Sequence, residues 1–263
     1  MSAAYLLDTS SFIHRAFHAS KERPTFTKDG KPNFAINLFR NMLERLQRDH
    51  KPDYLIAACD VHAPTFRSEL YAEYKAQRPT PPEDLISQIE GCMDVLMAAH
   101  VPTINFPGYE ADDIIGTLAH RIVPVMDVVI VCGDKDMAQL IEVCAEGSCT
   151  RVWNTGKNKM LGPIEVFQEY GVMPHQIVDY LSLVGDTSDN VPGCKGIGPK
   201  GAVELLKQFG NLQAALNRSS EISSKAYRHA IQNNREMILL SKKLVTIDTH
   251  VPLPDVSNLY SPF

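Results

Sequence analysis

The chain lacks several things whose absence narrows its function. No apolar run approaches the length of a membrane-crossing helix, and the start, Met1-Ser-Ala-Ala-Tyr-Leu-Leu-Asp, has no basic stretch ahead of an apolar one. A cytoplasmic protein is expected, without a membrane segment or a secretion signal. The six cysteines (Cys59, Cys92, Cys132, Cys144, Cys149, Cys194) form no C-x-x-C pair, which argues against zinc. Several lie in apolar runs, as reduced core residues do. Internal repeats and low-complexity segments are absent. Positive charge is in deficit: 26 Lys and Arg against 31 Asp and Glu give a net charge of −5. That excess of acid speaks against nucleic acid as a partner only weakly. Phosphate binding needs a local basic surface, and acids committed to divalent cations leave the rest near neutral.

What remains is a 263-residue soluble composition, 44% hydrophobic and 22% charged, enough for one large domain or a domain with a smaller companion. Within Gly108–Leu118 (G-Y-E-A-D-D-I-I-G-T-L), Glu110, Asp112 and Asp113 crowd ahead of an apolar helical run. Acids in a first helical turn complement the macrodipole, so a plain helix start accounts for one or two of them. Like charges about 5 Å apart repel by roughly 3 kcal/mol at an effective dielectric near 20, so three acids equally suit a cation between them.

The strands tip that balance. Ala3–Leu7 ends in Asp8, Pro52–Cys59 ends in Asp60, and Asp127–Gly133 ends in Asp134-Lys-Asp136, with Ile104–Phe106 and Arg151–Asn154 as further short strands. Alternating strands and helices predict a doubly wound, mostly parallel α/β sheet, whose sites lie beyond the carboxyl ends of its strands. One Asp after a strand is ordinary turn chemistry. Three such strands plus the Glu110 cluster favour an oxygen-ligated metal site. His14 and His18, four apart on the first helix, have no H-E-x-x-H context and read as packed or surface residues.

Thr65–Leu85 places Arg67, Lys75 and Arg78 among Phe66, Tyr71 and Tyr74 ahead of a proline-rich exit. Alone it reads as a solvated helix with snorkelling bases. Beside the acids it reads as a mobile basic-aromatic arch that holds phosphates and stacks bases. Past a change to a helical region near Val172–His175, Asp186 and Asp189 lie three apart. Lys195, Gly196, Gly198 and Lys200 then precede a helix entered through Pro199. Glycines let backbone amides approach a ligand, and a helix start attracts anions, so the run reads as a sequence-independent phosphate grip. Thr249–Phe263 reads as an aperiodic tail.

Together these motifs resemble the 5′-nuclease (flap endonuclease) family, and most closely the bacterial 5′→3′ exonuclease domain at the front of family A DNA polymerases. The resemblance rests on Leu7-Asp8 with its following Ser-Phe-Ile-His-Arg-Ala-Phe-His, Phe66-Arg67 with Tyr74-Lys75 and Arg78-Pro79, Glu110-Ala-Asp-Asp, Gly133-Asp-Lys-Asp-Met-Ala-Gln-Leu, Gly185-Asp-Thr-Ser-Asp-Asn-Val-Pro-Gly and Gly196-Ile-Gly-Pro-Lys, from about Tyr5 to Pro254. It departs in having Thr9 after Asp8, where polymerase-linked relatives usually carry glycine. No polymerase follows, so a free-standing nuclease or the front of a longer chain is expected.

The resemblance implies a PIN-like or resolvase-like nuclease core over residues 1–173, with the arch at about 65–90. A helical H3TH (helix-hairpin-helix-type) DNA-binding subdomain would span 174–250 and a tail 251–263. It implies two Mg²⁺ or Mn²⁺ ions, one held mainly by Asp8, Asp60, Glu110 and Asp112, the other by Asp112, Asp134, Asp136 and Asp186, with Asp113 and Asp189 acting through water. Some family members have lost the last pair of acids; Asp186 and Asp189 are both present. Lys75 and Arg78 would act at the scissile phosphate and Tyr74 would stack on an unpaired base. Arg67, Lys195, Gly196, Gly198 and Lys200 would bind DNA, and carbonyls of Pro192, Cys194 and Ile197 would hold K⁺. The implied function is structure-specific hydrolysis of DNA near 5′ ends (flaps, nicks, single-stranded ends) in primer removal and repair, by a monomer at the nucleoid, alongside a polymerase. An RNA-directed nuclease on the same core and a non-catalytic DNA-binding module are the alternatives.

Overall fold

The computed structural model describes residues 2–61, 63–143 and 147–259. Its centre is a seven-stranded sheet. The apolar run at the start forms β1 (Ala3–Asp8), which pairs in parallel with β2 (Tyr54–Ala58) on one side and β4 (Asp127–Cys132) on the other. β3 (Thr103–Ile104) extends the sheet beyond β2, and β6 (Cys149–Asn154) beyond β4, both in parallel. Two short antiparallel strands, β5 (Glu142–Val143) and β7 (Lys159–Leu161), pair with β6.

The central strands are apolar at consecutive positions because both faces are covered. Leu6, Ile56 and Ile130 enter one core, while their neighbours Leu7, Ala57 and Val131 enter the other. The second core is closed by α1 (Thr9–Ser20), α2 (Phe34–His50) and α4 (Glu83–Ala98), through Phe12, Phe39, Leu43, Leu85 and Leu96. The first is closed by α5 (Ala111–Ile122) and by the C-terminal helices. A short α3 (Phe66–Leu70) lies between β2 and α4. The five described cysteines are free and buried, as expected; Cys144 lies outside the described residues.

After α6 (Pro163–Tyr170), the helical region consists of α7 (Ile177–Val184), α8 (Pro199–Phe209), α9 (Leu212–Asn217), α10 (Lys225–Asn233) and α11 (Arg235–Val245). Residues 246–256, which include the start of the aperiodic tail expected from Thr249, carry no helix or strand and run back across α5. Val251, Leu253 and Val256 are buried there. The Val251 amide donates to Thr117 Oγ1 at 3.0 Å, and Arg121 donates to the carbonyls of Val251, Leu253 and Pro254. Gly116 makes room for this strap: a Cβ there would stand 2.6 Å from Ile247 Cγ2. Among the described residues, no helix is long and apolar enough to cross a membrane.

Candidate functional site

The strands bring the expected acids together beyond the carboxyl end of the sheet. Asp8 closes β1 and caps α1, its Oδ1 accepting the Ser11 amide at 3.0 Å. Its Oδ2 accepts the Cys132 thiol from the end of β4 at 2.8 Å. Asp60, just past β2, accepts the Ser10 hydroxyl at 2.6 Å and the Ala111 amide at 2.8 Å. That second bond ties the strand end to the start of α5, where Glu110 is the cap and Asp112 lies in the first turn. Asp134 accepts the Asp136 amide at 2.9 Å, closing a short turn within the D-x-D pair.

The electrostatics mark the cluster as a place for positive charge. Burial, followed by repulsion from Asp60 and Asp134, pushes Asp8 up to about 6. Asp112 is raised well above the usual carboxylate range by desolvation and by Asp8 and Asp134; Asp136 is raised by desolvation and by Asp134 and Asp186. Asp136 Oδ1 is buried with no hydrogen-bond partner. Asp186 behaves oppositely: burial works against its charge, but Lys135 and Ser188 hold it below the usual range. Among the described residues, no three His, Cys, Asp or Glu side chains converge into a ready-made metal site. Cations of the chain stand among the acids instead.

Those cations arrive from two directions. Lys135, inside D-K-D, reaches Asp186 Oδ1 at 2.8 Å. The turn after α3 supplies the others: Lys75 Nζ lies 2.9 Å from Glu110 Oε1 and 3.7 Å from Asp189 Oδ2, and Arg78 pairs with Asp189 Oδ1. The turn is also latched through backbone. The Lys75 amide donates to the Asp189 carbonyl at 3.0 Å, Asn190 Nδ2 to the Glu73 carbonyl at 2.7 Å, Arg78 Nε to the Ser188 carbonyl at 3.3 Å, and Gln77 Nε2 to the Thr187 carbonyl. Lys75 itself has φ of +56°, a left-handed conformation that costs a lysine about 1–2 kcal/mol.

The loop that receives this latch is pinned by two glycines. Gly185 (φ +78°) and Gly193 (φ +63°) pass each other backbone to backbone, and a Cβ on either would meet main-chain atoms at 2.5 Å. Between them Asp186 and Val191 exchange amide–carbonyl bonds of 2.9 and 2.7 Å, so Asp186 and Asp189 sit on a tight, fixed loop.

Three expected roles change. Asp113 is fully buried, and its two oxygens take both ends of the Arg67 fork at 2.7 Å, the Glu110 amide at 3.1 Å and the Asp248 amide at 2.8 Å. Its lone pairs are committed to the fold, with none free for a metal-bound water. Arg67 is 2% exposed, and its guanidinium is spent on Asp113 and on the carbonyls of Leu244 and Thr246, not on the surface. Tyr74 is buried too; its hydroxyl donates between Glu110 Oε2 (3.1 Å) and Asp189 Oδ2 (3.2 Å), and its ring face is not open to a base. His14 and His18 are exposed, with ring centroids 6.1 Å apart. Sequence reasoning missed Lys135 and Cys132; the first stood between two acids already chosen, and nothing in the spacing marked the second.

The second cluster lies at the start of α8. Lys195, Gly196, Gly198 and Lys200 are exposed, and Gly198 caps the helix ahead of Pro199. Tyr227 of α10 packs so closely on Gly201 that a Cβ there would stand 2.9 Å from its ring. An open hollow of about 400 Å³ is lined by Gly198, Pro199, Lys200, Gly201 and Tyr227. Of the three carbonyls expected to hold K⁺, that of Cys194 also accepts the Ile197 amide at 2.9 Å.

Comparisons with known proteins agree with this architecture. Residues 3–171 match the family described as 5′-3′ exonuclease, N-terminal resolvase-like domain, and residues 172–261 match 5′-3′ exonuclease, C-terminal SAM fold. DNA polymerase I of Rhizobium leguminosarum is 40% identical over 95% of this chain and 25% of its own length. The chain thus spans about a quarter of such relatives. A 5′-3′ exonuclease of Aquifex aeolicus is 37% identical over 96% of this chain and 84% of its own. In fold, the chain is similar to a T5 5′-exonuclease with zinc ions bound (TM-score 0.77, 20% identity, 94% and 90% of the two chains). It is likewise similar to a T5 flap endonuclease in a pseudo-enzyme-product complex with DNA and metal ions (TM-score 0.78, 19% identity, 94% and 90%).

Proposed function

The chain belongs to the 5′-3′ exonuclease family in both of its parts, and from that membership we propose that it hydrolyses DNA phosphodiesters at 5′ ends, nicks and 5′ flaps with the help of divalent metal ions. The observation that carries the reading is the acid cluster itself: three carboxylates raised by burial and mutual repulsion, one with a buried, unpartnered oxygen, beyond the ends of parallel strands.

An all-oxygen, crowded donor set fits hard divalent cations such as Mg²⁺ or Mn²⁺. Asp8, Asp60, Glu110 and Asp112 would hold one ion, and Asp112, Asp134, Asp136 and Asp186 a second, with Asp189 acting through water. Such ions supply an activated water and stabilise the leaving oxygen. The chain's own residues do the rest. Asp60 and Asp134 anchor the start of α5 and the D-x-D turn by hydrogen bonds, so the acids are ordered before any ligand arrives. Lys75 and Arg78, once off Glu110 and Asp189, are free to take up the scissile phosphate. Lys195, Lys200 and the backbone of Gly196 and Gly198 grip the duplex phosphates away from the cut, with K⁺ on the carbonyls of Pro192, Cys194 and Ile197. Contacts to backbone alone make the choice one of structure and not of base sequence. Such an enzyme works as a monomer beside a DNA polymerase at the bacterial nucleoid, in primer removal and repair.

A 5′-labelled flap DNA incubated with Mg²⁺, Mn²⁺ or EDTA tests this. Short labelled products that require the metal and vanish in Asp134→Asn are expected; binding without cleavage under every condition would overturn it. An RNA flap run beside the DNA one separates the two substrate classes.

A further inference from the structure

One charge that the resemblance assigns to DNA is satisfied inside the fold instead. Arg67 has five N–H groups, and five oxygens meet them. Nε donates to the Leu244 carbonyl at 2.8 Å; Nη1 to Asp113 Oδ2 at 2.7 Å and Glu110 Oε2 at 3.4 Å; Nη2 to Asp113 Oδ1 at 2.7 Å and the Thr246 carbonyl at 2.9 Å. The two carbonyls belong to the end of α11, where the helix leaves them without intrahelical partners and where its dipole favours a cation. The next carbonyl between them, that of Val245, takes Gln139 Nε2 at 2.9 Å, from the turn that Asp136 begins. One helix end therefore abuts both acid-bearing turns. The same helix also holds the loop that leads into the second cluster: Ser241 of α11 accepts the Gly193 amide at 3.0 Å.

We propose that Arg67 is a positioning residue: it seats Glu110 and the acid-bearing start of α5 on the end of α11, and so joins the phosphate-gripping half of the molecule to the metal-binding acids. The proposal rests on the nuclease reading of those acids. Arg67 touches no reacting atom. Its guanidinium fork meets Asp113 bidentately, Asp113 holds the Glu110 amide, and Glu110 thereby keeps its carboxylate toward the site. Lysine, with three donors at a single point, cannot span the same five acceptors.

The test uses the full chain with Arg67→Lys, and a double variant, Arg67→Met with Asp113→Leu. A buried ion pair replaced by apolar groups of similar bulk commonly leaves a fold intact, so the double variant separates position from stability. Three quantities are read on each: flap-DNA kcat, flap-DNA KM, and Mn²⁺ affinity by calorimetry without DNA. Losing an outer partner of a metal site typically costs about 10- to 100-fold, so kcat and Mn²⁺ affinity are expected to fall by about tenfold or more while KM stays within about twofold. Unchanged kcat and Mn²⁺ affinity in a folded variant would reduce Arg67 to a structural residue. A raised KM with unchanged kcat would return it to the DNA surface. On the wild-type chain, Mn²⁺ is expected to slow hydrogen exchange at the Asp248 amide, which is bonded to Asp113; no change there would overturn the proposal even if neither variant folds. Wild-type cleavage in the same series tests the nuclease reading separately, because Mn²⁺ affinity reports on the seat of α5 whether or not DNA is cut.

Discussion

Replacing Gly185 by alanine tests whether the loop bearing Asp186 and Asp189 is held by backbone contact. Two costs add. A φ of +78° burdens an L-residue by about 1–2 kcal/mol. The new Cβ would also stand 2.5 Å from the Val191 carbonyl oxygen and 3.0 Å from Gly193 N, main-chain atoms that no rotamer change can move aside. Relieving that overlap means parting the two amide–carbonyl bonds of Asp186 and Val191, at about 1 kcal/mol each. The sum is about 3–4 kcal/mol, and at about 2–4 °C per kcal/mol for a chain of this size the melting temperature should fall by about 6–16 °C. Gly30→Ala is the internal control: its φ is also +78°, but nothing lies within 4 Å of its Cβ, so it carries the first cost alone. Thermal unfolding followed by circular dichroism measures both variants, and Mn²⁺ affinity measured on each reports where Asp186 goes. If Gly185→Ala melts with Gly30→Ala and binds Mn²⁺ as the parent does, the loop is not pinned by this contact and the reasoning fails.

Other consequences can be measured in the same way. The metal-free protein should be more stable near pH 4.5 than near pH 8. Asp8 is raised in the folded state to about 6, and Asp112 and Asp136 are raised as well, so their contribution is complete below the unfolded carboxylate range and is lost as pH climbs through the folded values. Asp186, which is lowered, loses its contribution only at more acid pH; melting curves that rise steadily from pH 4.5 to 8 in EDTA would contradict this. A divalent ion such as Ca²⁺, added without DNA, should displace Lys75 and Arg78 and speed hydrogen exchange of the Lys75 amide; slower exchange there would mean that the latch and the ion coexist. Arg121→Ala should free the 246–256 strap at a cost of about 1–2 kcal/mol and sensitise it to proteolysis near Pro254, and an unchanged digestion pattern would show that the strap holds without Arg121.

Most of the sheet and the acid cluster could be read from the chain, because they depend on local signals: an apolar run, its end, and an aspartate just past it. The roles of Asp113 and Arg67 could not, because their partners are far away. The carbonyl that meets Arg67 Nε belongs to Leu244, 177 residues later. One local clue did exist. Glu110 and Asp113 stand three apart at a helix start, the spacing of a capping box, and Asp113 does reach back to the Glu110 amide at 3.1 Å. The pairing of acids, read for charge alone, hid that geometry. The tail escaped for a similar reason. Val251, Leu253 and Val256 have no helical or strand period of their own; they are buried by packing into the distant core, with their backbone held by Thr117 and Arg121 of α5.

The arch segment shows how the two sets of charges bear on one another. Left alone, the acids repel, and the fold answers with its own cations: Lys75 across Glu110 and Asp189, Arg78 on Asp189, Lys135 on Asp186. Those bonds hold the latch only shallowly. Arg78 is exposed, and an exposed ion pair contributes about 0–1 kcal/mol. Lys75 spends about 1–2 kcal/mol on its left-handed backbone before its ammonium gains anything. A divalent ion among the same carboxylates has twice the charge and needs no strained residue to deliver it, so it competes with the lysines on favourable terms. On the proposed reading, the bases that neutralise the acids would be the ones set loose if a metal took their place, beside the acids, where a phosphate would need them.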